Sequence, residues 1–434
     1  MNLTELLDAA ALRFPTKAAV IDGATVVTYA NLVARTHELA NPTIRAGQRI
    51  GISLPNSADY IAATYAVWRA GAIAVPVPVE CSAEERSHII TSLGLAGIIT
   101  PTGFEKFSGV PVADNHNLNI AFIRFTSGTT NTSKGVVVTH ETIRDRITAA
   151  NKALAITAAD TIVWILPMAH HFLVTIVLYL SQGATIVLVH SPLARNILEA
   201  VQRTGATILY AAPMHYAWLA RDKSELSLAT IRLAISTTCA LTQDVAETFE
   251  KRYRLPLRQA LGIIELGLVC LNTDGPWNSV GKPLPDYRVK IEDGDLYISG
   301  PGFYDAYANP WTPRQDEWFH TGDIAKLDEA GRVYLLSRKT AVINMAGRKV
   351  FPEEIEAVLL QHPAVQDCRV YGRAHPHLGE LIEADVVPGQ TGADPEQLRD
   401  HCRQHLAAYK VPTDIHLVPA VARTAVTGKL IRHG

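Results

Sequence analysis

The sequence predicts an α/β protein in two units, a large N-terminal one and a small α+β C-terminal one. Three observations carry this. Strand-like and helix-like runs alternate from residue 49 onward, the texture changes to short strands with turns after residue 278, and a last stretch has its own mixed order of strands and helices. At roughly 150 residues per domain, 434 residues leave room for two or three packed units.

Leu3, Leu6, Leu7, Ala10 and Leu12 fall at helical spacing, so an amphipathic helix opens the chain. KAAVID and ATVVTY around Gly23 read as a β-hairpin, YANLVARTHELA as a helix and RIGISL as a buried strand. Next come a helix near 57–70, the strand AIAVPV, a helix near 83–93 and the strand GIIT. AFIRF and GVVVTH are strands flanking a polar loop, and TIVWIL, ATIVLV, TILYA and IRLAIS continue the series between helices. This alternation is the pattern of βαβ units and parallel sheet. YRVKIE-DGD-LYISG marks a β-rich part, and a boundary is expected near 337, giving units 1–336 and 337–434. The last unit then reads helix (PEEIEAVLLQ), strand (CRVYG), strand (LIEADVV), helix (PEQLRDHCRQHL) and a closing strand (DIHLV).

Composition removes several function classes. The 40 Lys and Arg against 42 Asp and Glu give a net charge of −2, so there is no electrostatic ground for a nucleic-acid or anionic-membrane partner. With 48% hydrophobic residues the chain can bury a large core, which excludes wholesale disorder. The 5 cysteines are scattered without a CxxC, against a zinc ribbon or a disulfide scaffold. The N-terminus lacks a basic region before an apolar core, and the most apolar run, Phe172 to Leu180, is far shorter than a membrane span. A cytoplasmic protein is expected.

Five segments carry chemistry. The first, Phe125-Thr126-Ser127-Gly128-Thr129-Thr130-Asn131-Thr132-Ser133-Lys134-Gly135, offers backbone N–H groups, hydroxyls and one ammonium to phosphate oxygens. It is not a Walker A loop, because Lys134 precedes Gly135 and no Ser or Thr follows; taken alone, such a loop is more often a solvated turn. The second, Gln259 to Glu265, sets one carboxylate among aliphatic residues, where Mg²⁺ with substrate phosphates would suit it, although a surface acid at a strand end is the more ordinary reading. In the third, Trp318 to Asp323, the acid after a glycine can accept two hydrogen bonds from a vicinal diol or simply form an Asx turn. The fourth, Ser337-Arg338-Lys339-Thr340 leading to Gly347 and Pro352-Glu353-Glu354, includes an ordinary helix start. The fifth is Arg423 to Arg432 around Lys429, a cationic tail.

In this order and spacing, the five segments resemble the adenylate-forming superfamily of acyl- and aryl-CoA synthetases, peptide-synthetase adenylation domains and luciferases. Leu166 to His170, Val280 to Pro283 and Tyr409 to Pro412 add to the likeness, which runs from about residue 3 to Arg432. The resemblance implies stacked α/β subdomains plus a β-rich one in residues 1–336, and a mobile domain in 337–434. It implies activation of a carboxylic acid by Mg-ATP to an acyl-adenylate and pyrophosphate, then transfer to a thiol as the small domain rotates.

The likeness also assigns residues. Thr126, Ser127, Gly128, Thr129, Thr130 and Lys134 would hold phosphates, Glu265 the Mg²⁺, and Asp323 with Arg338 the ribose. Thr238 and Cys239 would border adenine, flanked by Leu261 and Gly262. Lys429 would reach the reacting carboxylate, His170 would stand at the thiol entrance, and Gly347 would line the tunnel for a pantetheine arm. No acid follows the His170 region to pair with an α-ammonium, so a carboxylate without an α-amino group is expected. His171, Leu173, Val174, Met214, His215, Tyr216 and Ala260 would form its pocket, suited to an aromatic or a short-to-medium acyl acid. Several positions depart from the family pattern: Ile264 where a threonine is usual, Asn131 and Ser133 in the phosphate loop, Thr237-Thr238 at small positions, and Ser337 and Thr340 beside Arg338. Coenzyme A is the leading thiol acceptor. A separate carrier protein bearing phosphopantetheine is the alternative, and a nucleotide-binding pseudoenzyme is a third reading.

Overall fold

The computed structural model describes residues 2–108, 116–126, 134–238, 241, 243–338, 343–350, 352–389 and 392–421. Among these, two large sheets, a four-stranded antiparallel sheet and a small five-stranded sheet build the molecule. One large sheet runs in parallel through Thr185–Leu188, Thr161–Trp164, Ile208–Ala211, Leu233–Ser236 and Leu257–Ile263, and adds Gly267–Leu271 antiparallel at one end. The other has a parallel centre, Gly97–Thr100, Arg49–Ile52, Ile73–Pro76 and Ile120–Thr126, followed by antiparallel Lys134–Thr139. Central strands buried on both faces explain the continuous Val/Ile/Ala runs.

Two joins cross the order of the chain. The hairpin of Ala18–Asp22 and Thr25–Thr28 adds to the sheet of residues 161–271, through parallel pairing of Val20 with Ile186. Ala306–Ala308, from the β-rich part, pairs instead with Lys134–Thr139. A single apolar cluster containing Leu3, Trp68, Phe122, Trp164, Leu266 and Val333 runs through both large sheets, so they form one body. The small sheet, Ile343–Met345, Arg348–Val350, Val365–His375, Gly379–Pro388 and Asp414–Leu417, has a separate core including Val370, Ala384, Leu398 and Cys402.

Helix ends follow local chemistry. Ser82 accepts the N–H of Glu85, and the Glu85 carboxylate accepts the N–H of Ser82, a reciprocal cap that starts Ala83–Leu93. Gly94, in the left-handed region, ends that helix.

Candidate active site

A cavity of about 1200 Å³ lies where the two large sheets, the four-stranded sheet and the small unit meet. The strands Ile120–Thr126 and Lys134–Thr139 pair antiparallel with Thr126 opposite Lys134, and Phe125 and Lys134 line the cavity. The Lys134 ammonium sits 5.0 Å from the centre of the Tyr307 ring, and the Tyr307 phenol is hydrogen-bonded to Glu265. Burial and the Glu265 charge both push that phenol's pKa up, so it stays protonated. Lys134, Tyr307 and Glu265 thus form one polar wall. Ser127, Gly128, Thr129, Thr130, Cys239 and Lys429 lie outside the described residues, as do the side chains of Thr126 and Arg338.

Glu265 stands in the turn between Leu257–Ile263 and Gly267–Leu271. Buried Arg146, from the helix His140–Leu154, fixes that turn: it donates to the carbonyls of Ile264 (3.0 Å), Glu265 (2.7 Å) and Gly302 (2.7 Å). Charge-assisted bonds of this kind are worth about 1.5–3 kcal/mol each. Gly267 has φ +81°, and a Cβ there would come within 2.9 Å of Arg146 Cδ, so the close approach requires glycine. Among the described residues no three His, Cys, Asp or Glu side chains converge as a metal cage. A magnesium ion needs none, since one carboxylate plus phosphate and water oxygens satisfies it. The donor at Glu265 fits that ion.

The two histidines arise from a broken helix. Asn56 accepts the N–H of Met168 at 2.8 Å and donates to the carbonyl of Leu166 at 2.9 Å, seating the start of Met168–His171. A π-helical turn, Phe172–Ile176, then precedes Val177–Ser181; such turns reorient side chains and recur at functional sites. His170, His171, Leu173 and Val174 consequently line the cavity, joined by Met214 and His215 from the helix Pro213–Arg221. Burial, then the Arg124 charge, holds His171 down at about 3, and burial holds His215 at about 4, so both rings are neutral at pH 7. His215 Nδ1 accepts the N–H of Ala212, leaving Nε2–H as its donor.

Thr237, Thr238 and Gly262 border the cavity, with Leu261 buried beside them. Asp323 is buried one position beyond the lining residues Thr321 and Gly322, and its strand register sets it opposite Arg338. Two members of the expected acid pocket are corrected. Tyr216 points away into the core, its hydroxyl 2.9 Å and 2.8 Å from the carbonyls of Leu209 and Ile235 and its ring against Phe249. A helix turns successive side chains by about 100°, so the neighbours Met214 and His215 reach the cavity and Tyr216 does not. Ala260 is buried in the large apolar core and is not among the residues lining the cavity; the strand is irregular between Leu261 and Gly262, so the face reached by Gly262 and Ile263 does not extend back to it.

The small unit closes the cavity. Its hairpin turn, Ala346-Gly347, has φ of +49° and +78°, and a Cβ on Gly347 would lie 2.5 Å from Thr238 Oγ1. Thr238 is itself in the left-handed region at φ +81°, uncommon for a β-branched residue. Met345, Arg348, Tyr409 and Lys410 also face inward. Lys410 Nζ is 2.6 Å from Glu85 on the large unit and 2.7 Å from Glu354 on its own. Burial lowers the pKa of Lys410, but Glu354, Tyr409 and Glu85 outweigh it, so the ammonium stays charged. Arg348 lies 3.6 Å from Glu80, and Ser82 Oγ donates to the carbonyl of His405 at 3.0 Å.

Sequence reasoning gave no role to Arg124, Arg146, Tyr307, Arg348 or Lys410. An arginine inside the apolar strand IAFIRFT was the readable signal among them.

Residues 7–118 and 102–307 match the AMP-binding enzyme family, and residues 354–429 match the AMP-binding enzyme C-terminal domain. The chain belongs to the AMP-binding enzyme family. It is an enzyme of the AMP-forming acid–thiol ligase class. A long-chain-fatty-acid–CoA ligase of Yersinia pestis is 25% identical over 99% of this chain and 93% of its own length. A 2-succinylbenzoate–CoA ligase of Bacillus subtilis is 27% identical over 96% and 94%. Among solved structures, o-succinylbenzoate CoA synthetase of Bacillus subtilis, a double mutant bound with its product analogue, superposes with TM-score 0.87 at 25% identity, over 98% of this chain and 97% of that one. No helix among the described residues is long and apolar enough to cross a membrane.

Proposed function

We propose that this cavity activates an aromatic or short-to-medium acyl acid as its adenylate and passes the acyl group to coenzyme A, with the division of labour falling at residue 337. ATP-dependent activation of an acid and formation of its CoA thioester is the chemistry of the enzyme. The choice of acid and the residue roles are our reading. The observation that carries it is the meeting of Lys134, Glu265, the two histidines and the Gly347 turn around one cavity.

The reaction joins two anions, so catalysis rests on positioning and charge stabilisation. Lys134, with the hydroxyls and backbone of Thr126 to Thr130, holds the phosphates. Glu265 holds Mg²⁺, which when bound would neutralise phosphate charge. Asp323 and Arg338 take the ribose, while Thr238 and Cys239, with Leu261 and Gly262, take the adenine. Lys429 neutralises the oxygens at the reacting centre in the first step and leaves as the small unit turns about the segment near 337. The acid lies against His171, Leu173, Val174, Met214 and His215, whose neutral rings and aliphatic groups offer no counter-charge for an α-ammonium. Ile264 brings no hydroxyl to the α-phosphate. A cytoplasmic enzyme using free coenzyme A, in place of a carrier protein, completes the reading.

The test is pyrophosphate release with ATP and a panel of carboxylic acids, with coenzyme A, with a phosphopantetheinyl carrier protein, or with neither. Aryl or short-to-medium acyl thioesters of coenzyme A are expected. Release only with amino acids would overturn the choice of substrate, and the absence of pyrophosphate with every acid would favour the pseudoenzyme.

A further inference from the structure

Arg124 lies on the strand Ile120–Thr126 and faces the cavity. Its guanidinium is 2.6 Å from the carbonyl oxygen of His170 and 3.2 Å from His170 Nδ1. A guanidinium has five N–H donors and no acceptor, and it stays charged in proteins. The contact to Nδ1 is therefore a hydrogen bond only if Nδ1 is the unprotonated nitrogen. In a neutral ring the proton then sits on Nε2. The second bond, to the backbone of the same residue, ties the ring and its main chain to one rigid strand.

We propose that Arg124 is a positioning residue that locks His170 as the Nε2–H tautomer, making His170 a hydrogen-bond donor to the acyl oxygen and closing it to use as the base that takes the thiol's proton. The inference rests on the adenylation reading above. In the transfer step the thiol sulfur bonds to the acyl carbon, the bond from that carbon to the AMP phosphate oxygen breaks, and AMP leaves with the electron pair. With Nδ1 capped and Nε2 already protonated, the thiol loses its proton to solvent before attack. Nε2–H meets the charge that develops on the acyl oxygen, the role of a preorganised oxyanion donor.

The surroundings agree. The groups acting on His170 are Arg124, His171, and Arg348 and Lys410 from the small unit; burial first, then these groups, keeps its proton affinity well below the ordinary histidine value. Arg124 is in turn flanked by Glu265, Tyr60 and Tyr409, which oppose the effect of burial on its charge.

Nitrogen-15 NMR of the histidine-labelled enzyme, with His170 assigned by its loss in His170→Gln, reads the tautomer directly. A protonated Nε2 and a bare Nδ1 in the wild type are expected; a protonated Nδ1, or an even mixture, would overturn the proposal whatever the enzyme's substrate. Transfer from supplied acyl-adenylate to coenzyme A is the second readout. Arg124→Met should slow it by about 100-fold, the scale of losing an oriented oxyanion donor, and Arg124→Lys, which still donates to Nδ1, should recover part of the rate. Nε2–H persists when the ring is protonated, so the pH dependence of transfer should follow the ionisation of the thiol and show no acid limb set by His170; such a limb would make His170 a base and overturn the proposal. An unchanged rate in Arg124→Met, with the fold intact by circular dichroism, would also overturn it. Failure of every acid to release pyrophosphate would instead overturn the adenylation reading and leave the tautomer result standing.

Discussion

The cavity has two kinds of wall. The large unit supplies Glu265, the histidines and the residues proposed to hold the acid from elements anchored in a continuous apolar core, with Arg146 and Asn56 fixing the local turns through backbone bonds. The small unit, with its own core, meets it through polar contacts: Lys410 with Glu85, Arg348 with Glu80, Ser82 with His405. Apolar packing is lost in bulk when surfaces separate, whereas exposed ionic groups recover much of their energy from water. A seam of ions suits a joint that opens; a packed wall suits groups that must stay within fractions of an ångström.

Substitutions can break this contrast, from the largest effect down. Glu265→Gln keeps the shape of the wall and removes its charge; pyrophosphate release should fall by about 100- to 1000-fold, the scale of losing one preorganised electrostatic group. An enzyme that keeps its rate would remove Glu265 from the chemistry. Lys410→Met leaves two carboxylates in the seam without their cation, a loss on the order of 3–5 kcal/mol for the docked arrangement. Thioester formation should therefore drop by at least 10-fold while pyrophosphate release in the absence of coenzyme A is unchanged; equal loss of both would mean that the seam is part of the wall.

Acidification probes the large unit through its buried histidines. Burial holds His140 and His215 neutral with pKa values near 4, below the unfolded value of 6.5, and His140 Nδ1 accepts the N–H of Leu3. Below pH 6.5 the unfolded chain takes up protons that the folded one refuses, so stability falls as pH drops from 6.5 towards 4, by up to about 3 kcal/mol per group. Urea midpoints at pH 7 and pH 4.5 measure it, and His140→Gln should flatten the dependence. The smallest effect is Tyr216→Phe, which removes a core hydroxyl near two carbonyls. It should cost about 1 kcal/mol in urea unfolding and leave the preference among acids unchanged; an altered acid preference would return Tyr216 to the pocket.

Much of the fold was legible because local rules are strong. The helix expected near 83–93 is Ala83–Leu93, with Ser82 and Glu85 forming its cap, and the strands at 161, 185, 208 and 233 stand where β-rich runs placed them. The candidate site was legible from the order of its motifs more than from single residues: Glu265 among aliphatics reads by itself as a surface acid, and it gained its role from the family likeness. It was not legible for Tyr216, whose neighbours enter the cavity, nor for Arg124 and Lys410.

The alternation of apolar and polar residues determined by itself which segments are strands or helices and which of their faces seek the core. Tertiary structure alone decided that the hairpin at 18–28 extends a sheet begun some 140 residues later, that Tyr307 lies beside Lys134, and that the cap residue Glu85 also receives Lys410, a separation of 325 residues. The physical reason is that periodicity specifies what a surface must avoid, namely water, while the identity of the neighbour that covers it depends on how the chain closes over long distances.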